Sequence, residues 1–176
     1  MGITFISGVY GVGKSTLGEK ISAIINIPFY SAGDLISELN GEIYMENKYV
    51  KDKNSNQNIL IDAVEKKLQL SKDFILAGHF CIFDKDNKID LLPMFVFERL
   101  DIDRIILLES IKEKILSNIS QRDRKTYSTE SISNLIKQEN IQAKIISDKL
   151  NVPLYIHSMK FDSSDIDDVL KFIKEF

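Results

Sequence analysis

The stretch from Met1 to Leu17 constrains the fold of this chain more than any other part of the sequence. A short, mostly apolar run, Ile3 to Ile6, leads into Gly8-Val9-Tyr10-Gly11-Val12-Gly13-Lys14-Ser15-Thr16. A glycine, four intervening residues, a second glycine, a lysine and a serine form the phosphate-binding loop pattern, which joins a strand to a helix. The sequence therefore predicts a β-strand, a tight loop and an α-helix at the start of the chain.

Each part of this loop suits a chain of phosphate groups. Glycines let the backbone curl closely around an anion and direct its N–H groups inward, while the helix that follows presents its positive N-terminal end. Lys14 adds a cation for the outer phosphates, and the Ser15 hydroxyl is the expected ligand of a magnesium ion that the phosphates carry. We expect ATP or GTP to be bound by Gly8, Gly11, Val12, Gly13, Lys14, Ser15 and Thr16.

Composition excludes several other classes of protein. A chain of 176 residues with a single cysteine, Cys81, predicts one domain (1–176) without disulfides or a Cys/His metal cluster. The net charge of -3 gives no argument for binding to nucleic acid or to an anionic membrane. Met1 leads straight into the first strand, and no apolar run reaches the roughly 20 residues that span a bilayer, so we expect a soluble cytoplasmic protein. The oligomeric state stays open.

Strands alternate with helices along the rest of the chain. Further strands are predicted at Ile27–Tyr30, Phe74–Ala77, Ile105–Leu108 and Pro153–Ile156, and a small hairpin-like excursion at Cys81–Leu92. Amphipathic helices separate them, one of which is expected to start near Ile59. The pattern predicts an α/β three-layer sandwich with a parallel sheet of about five strands.

Two polar residues follow strands at the edge of the sheet where ligands bind. Asp34 comes just after the second strand and could act as a catalytic or magnesium-orienting carboxylate, or could merely cap a helix. His79 follows the third strand and could contact substrate or be structural.

Two irregular stretches are candidate mobile elements. Residues 40–58 lack clear periodicity and could form a substrate flap or a solvated loop. Residues 121–128 contain Arg122, Arg124 and Lys125, and could form a short lid whose two arginines act catalytically on the transferred phosphoryl group, or a plain surface turn.

At this point the chain resembles the adenylate kinase-like branch of small P-loop kinases, especially the compact archaeal-type adenylate kinases. Beside the phosphate loop, the resemblance is carried by Ser31-Ala32-Gly33-Asp34, by Gly78-His79, by the excursion from Asp84 to Pro93 and by the basic turn near Arg122. It implies the strand order 2-3-1-4-5, ATP as phosphoryl donor, Mg2+, and a small-molecule acceptor.

The chain also departs from that family's pattern. Ala77 stands where an aspartate usually orients magnesium, Ser37 where an arginine grips the acceptor phosphate, and Asn118 where another arginine is expected before the lid. With Ala77 unable to serve, Asp34 and Glu109 are the candidate carboxylates for the metal beside Ser15. We favour Asp34 because it lies in the resembling turn, although the strand ending in Glu109 is adjacent to the first strand in that order.

Three functions agree with these features. The first is an ATP-dependent kinase that transfers a phosphoryl group to a nucleotide or another small acceptor. The second is a P-loop NTPase that acts as a switch or assembly factor, which Glu109 at a strand end favours. The third is a nucleotide-binding protein without turnover, which Ala77 favours.

Overall fold

The structure is a computed structural model that describes residues 2–40, 53–122 and 127–175. The first half contains β1 (Ile3–Ser7), α1 (Lys14–Ile25), β2 (Phe29–Ser31), α2 (Ala32–Asn40), α3 (Lys53–Leu70), β3 (Phe74–Ala77), β4 (Cys81–Phe83) and β5 (Ile89–Leu91). The second half contains α4 (Met94–Arg99), β6 (Ile102–Glu109), α5 (Lys112–Arg122), α6 (Thr129–Leu150), β7 (Leu154–Ser158) and α7 (Ser164–Glu175).

Five strands form one parallel sheet in the order β2-β3-β1-β6-β7. The predicted α/β class and order 2-3-1-4-5 are confirmed for this sheet, once β4 and β5 are numbered separately. These two short strands pair antiparallel with each other, as the predicted excursion requires. In this order β1 is central, so the loop that follows it lies in the middle of the sheet edge.

The sheet is buried on both faces, which explains why its strands read as continuous apolar runs. Along β1, Ile3 and Phe5 belong to one core, whereas Ile6 belongs to the other. Residues of α2, α3 and α4 complete the first core, and residues of α1, α5 and α7 complete the second. The long helix α6 contributes to both cores, so it spans the two layers.

Several predicted boundaries were wrong. The strand predicted at Ile105–Leu108 is Ile102–Glu109, and the strand predicted at Pro153–Ile156 is Leu154–Ser158. The second strand is Phe29–Ser31 rather than Ile27–Tyr30. Helix α3 begins at Lys53, within the stretch 40–58 that was expected to be irregular. The prediction missed this start because the first residues of the helix are polar and show no apolar periodicity. Residues 41–52 of the predicted flap lie outside the described residues.

Helix termini follow local chemistry where the sequence provides it. The Ser128 hydroxyl accepts a hydrogen bond from Ser131 N at 3.0 Å and caps α6, as expected for serine at this position. Helix α6 ends at Asn151 in the left-handed conformation, a common way to stop a helix. Among the described residues, no helix is long and apolar enough to cross a membrane.

Candidate active site

The loop between β1 and α1 has a conformation that only glycine accommodates at its start. Gly8 has φ of 137°, and a Cβ there would lie 2.6 Å from the Leu108 carbonyl oxygen. Gly11 has φ of 75°, and its Cβ would lie 2.9 Å from Ile119. The glycines therefore serve both the curvature of the loop and its close contact with β6 and α5.

Lys14 is the first residue of α1, and its ammonium group turns back onto the loop. Lys14 Nζ donates hydrogen bonds to the carbonyl oxygens of Gly8 at 2.7 Å and Val9 at 3.0 Å. Ser15 and Thr16 follow on the first turn and are exposed, so their hydroxyl groups are accessible. A cation and hydroxyl groups at a helix N-terminus form a site suited to a polyanion.

A buried carboxylate that the sequence analysis missed supports the loop from behind. Glu139 on α6 is 1% exposed, and its Oε1 accepts a hydrogen bond from Gly8 N at 3.0 Å. Its Oε2 accepts from Phe80 N and from Cys81 N, both at 3.0 Å, and the Cys81 thiol lies 3.2 Å away. One side chain thus joins α6, the phosphate loop and the start of β4.

The electrostatics of Glu139 combine opposing effects. Burial raises the pKa of the Glu139 carboxyl, whereas the nearby Lys14 ammonium and the N–H groups of Phe80 and Cys81 act in the opposite direction. Glu139 occupies an inward position of an amphipathic helix, where an apolar residue is the usual choice. A charged residue at such a position was the available signal in the sequence, but its partners lie 58 or more positions away along the chain.

A cavity of about 640 Å³ opens beside the phosphate loop, within the size range of small-molecule sites. We define its phosphate-loop end by Lys14, Ser15 and Thr16. We define its helical end by side chains of α2, α3, α4 and the residue after α4: Ile36, Gln57, Leu60, Val96, Phe97 and Leu100.

Asp34, Ala77 and His79 line the same cavity. Ser31 at the end of β2 pairs with Ala77, and Ala77 in turn pairs with Ile6 of β1, which brings the ends of three strands together. Asp34 is exposed in the first turn of α2. The His79 ring lies 4.6 Å from the Tyr10 ring, centroid to centroid, and so contacts the phosphate loop.

Glu109 lies elsewhere. Its Oε1 accepts a hydrogen bond from Asn140 Nδ2 at 2.5 Å, and it lines a small separate depression together with Val9 and Ile136. The structure thus brings Asp34 and Ser15 to one cavity and leaves Glu109 out of that cavity. Which carboxylate orients a metal stays a prediction.

The two positions where the resembling family has arginines carry side chains tied to the backbone. Ser37 Oγ donates to the Gly33 carbonyl oxygen at 2.8 Å, one turn earlier in its own helix. Asn118 Nδ2 donates to the Gly11 carbonyl oxygen at 2.8 Å and so connects α5 to the phosphate loop. Arg124 and Lys125 of the predicted lid lie outside the described residues, and Arg122 is the last residue of α5.

The loop after β7 forms another wall that the sequence analysis did not identify. Asp165 is buried and accepts hydrogen bonds from Lys160 N at 2.9 Å, from Phe161 N at 2.7 Å and from His157 Nε2 at 2.8 Å. Burial alone would raise the pKa of Asp165, but these hydrogen bonds outweigh it and lower the pKa below its usual range. They hold Phe161 at a positive φ of 64°, with its ring against the cavity.

The donor set fits a magnesium ion that arrives with a nucleotide. Among the residues that the structure describes, no group of three or more His, Cys, Asp or Glu side chains could hold a metal. Magnesium commonly binds through one or two protein oxygens, phosphate oxygens and waters rather than in an all-protein cage. Ser15 and Asp34, both exposed and both on the cavity, agree with that arrangement.

Comparison with known proteins places this geometry in context. A family model described as an AAA domain matches residues 7–135, which include the phosphate loop and most of the cavity lining. A cytidylate kinase from Pyrobaculum islandicum is 24% identical over 130 residues, which cover 72% of this chain and 64% of the relative. The match thus spans less than two thirds of that relative's length.

Solved structures share the fold across the whole chain. A shikimate kinase from Acinetobacter baumannii, in complex with shikimate, has a TM-score of 0.63 with 12% identity, covering 99% of this chain and 92% of the other. A deoxyadenosine kinase from M. mycoides, with the products dCMP and dCDP bound, has a TM-score of 0.61 with 18% identity, covering all of both chains. The chain belongs to the AAA domain family, and it has the P-loop fold found in small kinases of known structure.

Proposed function

We propose that this protein transfers the γ-phosphoryl group of ATP to a hydroxyl or phosphate oxygen of a small acceptor. The observation that carries the proposal is a cavity of about 640 Å³ that is lined both by a phosphate-loop end, defined by Lys14, Ser15 and Thr16, and by a mainly apolar helical end, where a second molecule would bind. A protein that only hydrolyses ATP needs no second compartment. The similarity in sequence to a cytidylate kinase, and in fold to a shikimate kinase and a deoxyadenosine kinase, supports the kinase hypothesis.

In this proposal the phosphate-loop end binds the donor. The loop N–H groups and the N-terminus of α1 hold the phosphates, and Lys14 exchanges its contacts with the Gly8 and Val9 carbonyl oxygens for the outer phosphate oxygens. The Phe161 ring offers an apolar surface for the base. Ser15 and Asp34 would hold a magnesium ion, which supplies charge neutralisation on the phosphates.

Transfer requires the two ends to meet at the γ-phosphorus. The bond from this phosphorus to the β,γ-bridging oxygen breaks, a bond to the acceptor oxygen forms, and ADP leaves. The proton of an attacking hydroxyl passes to a base or to water. Asp34 and His79 line the same cavity and are candidates to orient or deprotonate the acceptor. Arg122 and Arg124 would close over the phosphates and spread the developing charge.

Adenylate kinase-like specificity is the finer version of this proposal, and AMP is one acceptor to test. The discriminating experiment measures ADP release with and without nucleoside monophosphates, nucleosides and small alcohols. Acceptor-dependent release supports a kinase. Acceptor-free hydrolysis at the same rate would indicate an NTPase, and binding without release would indicate a nucleotide-binding protein without turnover.

A further inference from the structure

The helical end of the cavity has no described cationic side chain of the kind that a phosphorylated or acidic acceptor would need. Among the described residues that line the cavity, Lys14 is the only lysine or arginine, and it lies at the phosphate-loop end. Asp34, in the first turn of α2, is the only aspartate or glutamate among the described residues that line the cavity. A carboxylate with no described cation beside it repels an anionic acceptor and tolerates a neutral one.

Two positions where the resembling family has arginines carry short neutral side chains that donate hydrogen bonds to the backbone. Ser37 donates to the Gly33 carbonyl oxygen, and Asn118 donates to the Gly11 carbonyl oxygen, both at 2.8 Å. Neither side chain can form the paired, charge-assisted hydrogen bonds that arginine makes with a phosphate or carboxylate.

The helical end is otherwise apolar and aromatic. The Phe5 and Phe97 rings lie 6.0 Å apart in an edge-to-face arrangement, and Leu60, Val96 and Leu100 surround them, each at most 4% exposed. Such a surface suits the face of a ring or another apolar body.

One polar group interrupts this surface. Gln57, on the second turn of α3, lines the cavity and is 4% exposed, and its Oε1 has no hydrogen-bond partner among the residues that the structure describes. Buried carbonyl oxygens are nearly always paired in folded proteins, so an orphaned one beside a cavity indicates a donor that comes with the ligand. An N–H group of the acceptor would satisfy Gln57.

We infer that the acceptor is an uncharged alcohol with an N–H-bearing ring, of the nucleoside class, and that Gln57 recognises its ring. This inference rests on the proposed kinase function and specifies its substrate. The sugar hydroxyl would face Asp34 and the γ-phosphate, while the ring would lie against the apolar lining with its N–H group on Gln57 Oε1.

The first experiment compares matched acceptors on the wild-type protein. ADP release is measured with cytidine and adenosine, with their 5′-monophosphates, and with shikimate as a hydroxy acid. We expect kcat/KM for at least one nucleoside to exceed that for its monophosphate and for shikimate by tenfold or more. A preference for a monophosphate or for shikimate would overturn this inference and leave the kinase proposal standing. Release that no acceptor stimulates would overturn the kinase proposal and this inference with it.

The second experiment replaces Gln57 by leucine and uses Gln69→Leu, at an exposed position of the same helix, as the matched control. Because Gln57 Oε1 has no partner within the described part of the chain, Gln57→Leu should leave the melting temperature unchanged or raise it. The KM for the nucleoside should rise about threefold to tenfold, with the KM for ATP unchanged. A purely structural glutamine would show the opposite, a lowered melting temperature with unchanged nucleoside KM, and that result would remove Gln57 from the site.

Discussion

The two ends of the cavity differ in how they are built. At the phosphate-loop end, Lys14, Glu139 and Asn118 form a network of hydrogen bonds with the backbone of the loop. At the helical end, apolar side chains lie around Gln57, whose side-chain carbonyl oxygen has no partner among the described residues. The first end therefore has its polar groups paired within the protein, whereas the second, on our inference, is completed by a donor of the ligand. A polyanion needs preorganised donors, while a ring needs mainly a dry surface.

This comparison predicts that the largest single effect on stability comes from Glu139. Replacing Glu139 by leucine leaves the N–H groups of Gly8, Phe80 and Cys81 buried without an acceptor, and should lower the free energy of unfolding by about 3 kcal/mol or more. Urea denaturation measures the change, and Glu130→Leu, at an exposed position of the same helix, is the control. Equal stabilities of the two variants would show that the loop does not depend on this carboxylate.

The next effect concerns the cation at the same end. Lys14→Ala removes the ammonium group expected to bind the outer phosphates, and should lower kcat/KM for ATP by about 100-fold, while the helix stays folded. Calorimetric titration of ATP and steady-state kinetics provide the measurement, with Lys20→Ala on the exposed face of α1 as the control. Wild-type affinity and turnover in Lys14→Ala would remove the phosphate-loop interpretation altogether.

The arginines of the predicted lid test the difference in charge between the two ends of the cavity, because they could add positive charge to either end. If they act on the transferred phosphoryl group, Arg122→Ala or Arg124→Ala should lower kcat tenfold or more and raise the KM for ATP less. Lys137→Ala, at an exposed position of α6, is the control. A rise confined to the KM of an anionic acceptor would instead place these cations at the helical end and contradict its neutral character.

The smallest expected effect concerns the carboxylate that orients the magnesium ion. Asp34 shares the cavity with Ser15, whereas Glu109 is bonded to Asn140 outside it. Asp34→Asn should therefore raise the magnesium concentration for half-maximal ADP release severalfold, and Glu109→Gln should leave it nearly unchanged. Measuring ADP release against magnesium concentration for both variants distinguishes the two carboxylates. The reverse ranking would indicate that Glu109 orients the metal and would favour the NTPase function.

The sequence by itself determined the features that depend on neighbours along the chain. The phosphate loop, the parallel strands and the hairpin follow from local spacing, apolar runs and turn chemistry. Alternation of strands and helices was sufficient for the α/β class. The start of α3 was missed because its first residues are polar and carry no periodic signal.

Only the tertiary structure decided what surrounds the phosphate loop. Glu139 meets Gly8 across 131 positions of the chain, and Asn118 meets Gly11 across 107, contacts that no local pattern encodes. The orphaned oxygen of Gln57 and the separation of Glu109 from Ser15 likewise depend on how α3 and α6 pack against the sheet. Local sequence specifies the loop that binds phosphate, but the burial and pairing of distant polar groups decide what else the cavity can hold.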